Sequence, residues 1–145
     1  MNETDERHLR RALELAAHAR ATGEQPFGSL LVGPDGDVLA EDHNTVLSDR
    51  DVTAHPELKL ARWAATHLTE DAARATTMYT SCEPCAMCAN VIARARLGRV
   101  VFALSGEQLA QLKPSGAAPP DAWTPDREGP ALFDEARRPV DGYYD

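Results

Sequence analysis

The sequence predicts an α/β fold, a three-layer α/β/α sandwich in which helices cover both faces of a mixed sheet. Three observations carry this reading. A pair of strand-like segments brackets Asp35-Gly36, and strand and helix patterns alternate from residue 54 to residue 103. The chain of 145 residues is 43% hydrophobic, enough for one domain to bury a core without a staple.

Residues 4–22 read as an amphipathic helix. Leu9, Ala12, Leu13, Ala16 and Ala17 recur at helical spacing, and Asp5 and Glu6 stand in the first turn, where the macrodipole favours negative charge. Gly23 and Pro26 end it. Phe27–Val32 is a strand, and Asp35-Gly36 is a strong hairpin signal. The return strand runs from Asp37 to about Val46 and turns polar between Glu41 and Thr45, as strands often do where they meet a site. Residues 47–52 form a loop. A second helix, residues 54–67, carries Leu58, Ala61, Ala65 and Leu68 on one stripe. Met78–Thr80 is a short strand. Pro84 opens a third helix, at a position where its missing N–H costs nothing, and this helix runs to about Arg96. Val100–Ala103 is a buried strand. Five of the ten prolines fall between Pro114 and Pro130. Residues 105–145 are therefore expected as a proline-rich loop and C-terminal segment of the same domain, with a short helix from Pro130 to Arg138.

The charge balance, 15 Lys and Arg against 23 Asp and Glu, gives −8. It argues against a long polyanion as the main ligand, so nucleic acid is not the expected partner. No apolar run approaches the ~20 residues of a membrane span. The acidic start, Met1 to Glu6, is unlike a signal peptide. The expected address is cytoplasmic, with no membrane partner. Cys82, Cys85 and Cys88 lie within seven residues. They are an odd number, poor material for disulfides, and point to metal chemistry.

Two motifs head the second and third helices: His55-Pro56-Glu57 and Pro84-Cys85-Ala86-Met87-Cys88. Cys85 and Cys88 are i and i+3, so both sulfurs leave one face of a first helical turn. The free N–H groups there favour thiolate, the metal-binding form. Consecutive helices of a crossover fold can start at the same end of the sheet. His55, Cys85 and Cys88 then supply three ligands to zinc, with a fourth position open to water. Glu57, too close along the chain to His55 to be an obvious ligand, can move protons between water and a leaving amine.

His55-Pro56-Glu57, Ser81 to Cys88 and Pro26-Phe27-Gly28 together resemble the cytidine deaminase-like superfamily, nearest its guanine deaminase and tRNA adenosine deaminase branch. The resemblance spans about residues 5–104. It implies a mostly five-stranded sheet, a bound Zn2+, Glu57 as proton shuttle and Asn44 as hydrogen-bond partner of the base. Phe27 and Gly28 would line the pocket. It also implies a homodimer, in which the C-terminal segment of one subunit can cover the other's site. The expected activity is hydrolytic deamination of a free nucleobase or analogue, such as a guanine-like purine, a cytosine analogue or a triazine. Editing of adenosine in tRNA is the alternative. The family usually carries alanine between the histidine and the glutamate. Pro56 is tolerable in a first turn, but it biases His55 away from helical geometry.

Plainer readings stand beside these. Cys82 would complete a closed Cys₃His site, with the chain a non-enzymatic zinc-binding module, or it is a small buried hydrophobe. Glu83 is either an acid favoured by the helix dipole or an outer partner of the metal site. Trp123 is either a lid over a planar base or an anchor for its loop. Asp121, Asp126, Glu128, Asp134 and Glu135 offer candidates for a second proton shuttle. His8, His18 and His67 are expected on solvated helix faces, and His43 at the pocket mouth or exposed. Arg94, Arg96 and Arg99 are expected in water near a helix C-terminus.

Overall fold

A five-residue strand, Gly28–Val32 (β1), is buried along its whole length. Such a strand needs a neighbour on each side and a layer on each face. The computed structural model, which describes residues 1–118 and 123–145, provides all four. Val38–His43 (β2) returns antiparallel beside β1, and Thr77–Cys82 (β3) pairs antiparallel on its other side, with Ser29 opposite Thr80. Arg99–Leu104 (β4) lies parallel to β3, giving the order β2-β1-β3-β4. In the hairpin the Gly36 N–H donates to the Gly33 carbonyl, with Gly36 at φ 86°, a conformation that glycine adopts without strain.

Around the sheet lie α1 (Glu3–Ala21), α2 (Val46–Asp49), α3 (Pro56–His67), α4 (Glu70–Arg74), α5 (Ala86–Arg94) and α6 (Gly106–Leu112). The period of two along the strands divides the core. Leu30, Val32, Tyr79 and Val101 face α1, where they meet Leu9, Ala12 and Leu15. Leu31 and Met78 face the opposite way, against Leu60, Ala61 and Ala64 of α3 and Ile92 of α5. By the same parity Ser29 and Thr80 belong to the α3 and α5 face, and Gly28 to the α1 face. A Cβ on Gly28 would stand 2.5 Å from Leu15 Cβ, 2.6 Å from Ala16 N and 2.7 Å from Ala12 O. Only glycine admits so close a helix.

Several expectations need correction. Among the described residues the sheet has four strands, not the five that the family resemblance implies. After β4 the chain turns into α6, started by a capping box between Ser105 and Gln108. Residues 47–52 are not wholly loop, since α2 takes in 47–49. In α1 the buried face is Asp5, His8, Leu9, Ala12, Leu15, Ala16 and Ala19, while Leu13 and Ala17 are exposed. The close approach at Gly28 draws the Ala12–Leu15–Ala16 side onto the sheet and turns Leu13 outward. On α3 it is Leu60 and Ala64 that are buried, and Ala65 is exposed.

His8, expected in solvent, is buried and tilts against Tyr79 at 4.8 Å between ring centroids. Arg99 departs from expectation in position only. It lies on β4 and, though exposed like Arg94 and Arg96, grips Asp5 with two hydrogen bonds of 2.9 Å.

The chain divides into two compact units, Met1–Lys113 and Pro114–Asp145. The elements above belong to the first. The second contains α7 (Phe133–Ala136), inside the expected 130–138 helix. Its described side chains are exposed, Trp123, Phe133, Tyr143 and Tyr144 among them. No helix among the described residues is long and apolar enough to cross a membrane.

Candidate active site

Both motifs occupy helix starts, with His55 and Cys85 at the caps and Glu57 and Cys88 in the first turns. His55 is the N-cap of α3 (φ −75°, ψ 140°) and Pro56 takes the first helical position. Proline thus holds the preceding histidine extended while itself fitting the turn. Cys85 is the N-cap of α5 (φ −66°, ψ 170°) and Cys88 is its third helical residue. These are the two positions whose side chains meet in a capping box, here occupied by sulfurs. Pro84 therefore precedes the N-cap and does not open the helix.

The packing of α3 against α5 brings the caps together. His55 Nδ1 stands 3.4 Å from Cys88 Sγ and 3.7 Å from Cys85 Sγ. All three donor atoms lie within 4.8 Å of one another. A tetrahedral zinc, ~2.3 Å from sulfur and ~2.05 Å from nitrogen, would hold such donors about 3.6 Å apart. The donor set and spacing fit that ion. Burial lowers the His55 pKa, which keeps the imidazole neutral, as a ligand must be. Burial and the nearby Glu57 carboxylate push the Cys88 thiol up, and a cation is the partner that reverses such a shift. Cys85 is exposed, His55 half-buried and Cys88 buried. Cys82, at the end of β3, is buried and outside this group.

Glu57 is the second residue of α3 and is buried. Desolvation raises its pKa, against hydrogen bonds from its own backbone N–H, the Cys88 thiol and Ser29. The Ser29 and Thr80 hydroxyls share a hydrogen bond (2.7 Å), and Ser29 Oγ lies 3.5 Å from Glu57 Oε1. This floor of two hydroxyls under the carboxylate was not read from the sequence. Its signal was present in the strand parity, which assigns Ser29 and Thr80 to one face.

Asn44 is 1% exposed. Its Oδ1 accepts from Val46 N (3.0 Å), its Nδ2 donates to Gln25 Oε1 (3.1 Å), and its backbone N–H donates to Phe27 O (3.0 Å). Phe27 is half-buried. Gly28 turns its Cβ position to α1 and donates its N–H to Ser81 Oγ, so packing accounts for this glycine. Glu83 is exposed, and its carboxylate accepts from Gly106 N at the start of α6 (2.8 Å) rather than from any group at the triangle. Trp123 lies in the second unit and is 86% exposed, where a loop anchor would be covered. Of the candidate acids in that unit, Asp121 lies outside the described residues, and Asp126, Glu128, Asp134 and Glu135 are exposed. His43 Nδ1 donates to Asn44 O (3.0 Å), and the ring meets His18 edge to face.

Three protein donors leave a tetrahedral cation one position short, and a buried acid stands on the same helix as the histidine. This is the arrangement of zinc-dependent hydrolytic deaminases, and the fold and site place the chain in that class. The family described as cytidine and deoxycytidylate deaminase zinc-binding region matches residues 2–104, and the chain belongs to it.

Relatives span several substrates. Over its whole length the chain is 33% identical to the probable cytosine deaminase of Schizosaccharomyces pombe and covers 95% of that protein. A tRNA-specific adenosine deaminase of Haemophilus influenzae is 38% identical over 72% of this chain and 60% of its own. The solved structure of Bacillus subtilis guanine deaminase aligns with a TM-score of 0.78 at 30% identity, over 99% of this chain and 94% of that one.

Proposed function

We propose that the chain hydrolyses the exocyclic amine of a free nucleobase or close analogue, releasing ammonia and leaving a ring carbonyl. The observation that carries this reading is the buried Glu57 carboxylate two residues after His55, on the helix whose start meets Cys85 and Cys88. Zinc held by His55, Cys85 and Cys88 would supply the Lewis acidity that makes water a nucleophile near neutral pH. Glu57 takes a proton from that water and delivers it to a ring nitrogen. A second delivery goes to the departing amine, so water and base become carbonyl product and NH₃. The Ser29–Thr80 pair holds the carboxylate from beneath. Asn44 orients the ring with the N–H and lone pair that its internal bonds leave free, and Phe27 lines the pocket.

Two relatives named for free bases support the substrate class: the S. pombe protein over its full length and the B. subtilis structure over nearly all of this chain. Guanine is the first base to test. The H. influenzae relative favours a second reading, adenosine editing in tRNA. That reading predicts an affinity falling steeply with salt, on a chain of net charge −8. An ammonia-release screen over guanine, adenine, cytosine, their nucleosides, triazines and a tRNA stem-loop separates the two. Turnover of a free base with none of the RNA supports our reading, and the reverse overturns it.

The exposed aromatics of the second unit fit cover by a second copy, as in a homodimer. Sedimentation of the purified chain tests this, and a monomer at micromolar concentration contradicts it. Three unpaired cysteines suit a reducing, cytoplasmic compartment.

A further inference from the structure

Lys59 stands four residues after His55 on α3, and its side chain is 23% exposed. Nζ donates three hydrogen bonds, to Asp42 Oδ1, His43 O and Thr45 Oγ1, each 2.9 Å. All three of its protons are used. The acceptors bracket Asn44 on both sides. A surface ion pair needs one donor and contributes little. Three donors shared among a carboxylate, a carbonyl and a hydroxyl instead make a clamp between the helix that carries His55 and Glu57 and the strand end that carries Asn44.

Asn44 has little freedom of its own. With Oδ1 taken by Val46 N and one Nδ2 proton given to Gln25, its amide cannot rotate to suit a ligand. Where its remaining N–H points is set by the backbone of residues 42–45. That backbone is tied to α3 by Lys59 and, through Thr45 N to Ala54 O (3.1 Å), to the residue before His55. Thr45 donates its own hydroxyl proton to Asp49 (2.6 Å), so the lone pair that Lys59 uses is held in place.

We infer that Lys59 is a positioning residue for deamination, setting the Asn44 amide at its working distance from Glu57. This rests on the roles proposed above for Asn44 and Glu57. A shift of ~1 Å in such a group can cost about 100-fold in rate, so the clamp acts on kcat as well as on KM.

The test is a double-mutant cycle on kcat/KM for ammonia release from guanine and from cytosine, with zinc content measured for each protein. Lys59→Met should lower kcat/KM by roughly 10- to 100-fold while retaining one zinc per chain. Thr45→Val removes one arm without stranding a charge and should act in the same direction, less severely. In an Asn44→Ala background Lys59→Met should change kcat/KM less than about twofold, because the group that it positions is gone. The side-chain ¹⁵N–¹H₂ signals of Asn44 should shift and lose exchange protection in Lys59→Met.

An equal loss in both backgrounds overturns the inference, and so do unmoved Asn44 signals, whichever base is turned over. An Asn44→Ala protein with unchanged kcat/KM sinks the reading of Asn44 itself. Full loss in Asn44→Ala beside an unaffected Lys59→Met sinks only the role of Lys59.

Discussion

On the α1 face of the sheet, Asp5 is buried yet accepts two bonds from Arg99 and one from the Tyr79 hydroxyl (2.6 Å), and it closes the capping box of its own helix. On the α3 and α5 face, Glu57 is buried too, but the side-chain bond its carboxylate receives comes from Ser29 at 3.5 Å, the edge of bonding distance. Arg99 holds the Asp5 carboxyl far below the ordinary carboxylate range, with Tyr79 adding to the effect, whereas burial pushes Glu57 up. The first cluster answers its charge within the chain. The second gathers an acid, an imidazole and two thiols and leaves them to be answered by a cation, a water and a substrate. Chemistry sits where the fold withholds a partner.

The largest break in this contrast should come from Glu57→Gln. The variant keeps the shape and the metal ligands but cannot carry a proton. Ammonia release should fall about 10²- to 10⁴-fold at unchanged zinc content. Near-full activity in this variant would falsify the proton-carrying role.

Cysteine substitutions sharpen the contrast within one short segment. Cys88→Ala should lose zinc affinity by more than the ~10- to 100-fold typical of an outer partner. Cys82→Ala should leave metal content and turnover near those of the parent chain. Titration with a zinc chelator measures both, and equal losses would make Cys82 a ligand.

Gly28→Ala probes the α1 face. Its Cβ would lie under 3 Å from the backbone of α1, so the helix must move off the sheet. Such overpacking destabilises by roughly 1–3 kcal/mol, to be read from urea midpoints. A midpoint equal to that of the parent chain would show that α1 yields freely.

The smallest effect concerns pH. A depressed carboxyl such as Asp5 contributes stability that is present above its unfolded pKa of about 3.9 and is lost as pH falls below it. Acid unfolding of the parent chain should therefore steepen below about pH 4. In Asp5→Asn that limb should flatten, with no change of slope near neutrality. A parallel acid limb in the two proteins contradicts the assignment.

Most of the first 104 residues was legible because its signals are local. Turn glycines, capping acids, apolar periods and the spacing of Cys85 and Cys88 are each settled within a few residues. What escaped was settled across the chain. Nothing near Leu13 says that it will point outward, because a glycine fifteen residues on decides how α1 lies. His8 reads as solvated until Tyr79 is placed beside it, and nothing near Arg99 names Asp5 as its partner. Lys59 reads as an ordinary surface lysine on a helix, and only the end of β2 turns it into a clamp. The site was legible to the degree that its ligands lie in two short motifs. Its hydroxyl floor came from the pairing of two strands, Ser29 against Thr80, fifty-one residues apart. The end of the chain gave the weakest signal, and α6 came from a capping box within a stretch read as loop.

X-ray absorption at the zinc edge of the metal-loaded, full-length protein tests the central claim most directly. An open three-ligand site predicts two sulfur scatterers, one imidazole nitrogen and one light atom not supplied by the chain. Three sulfurs and one nitrogen, with Cys82 in the fourth place, would contradict it.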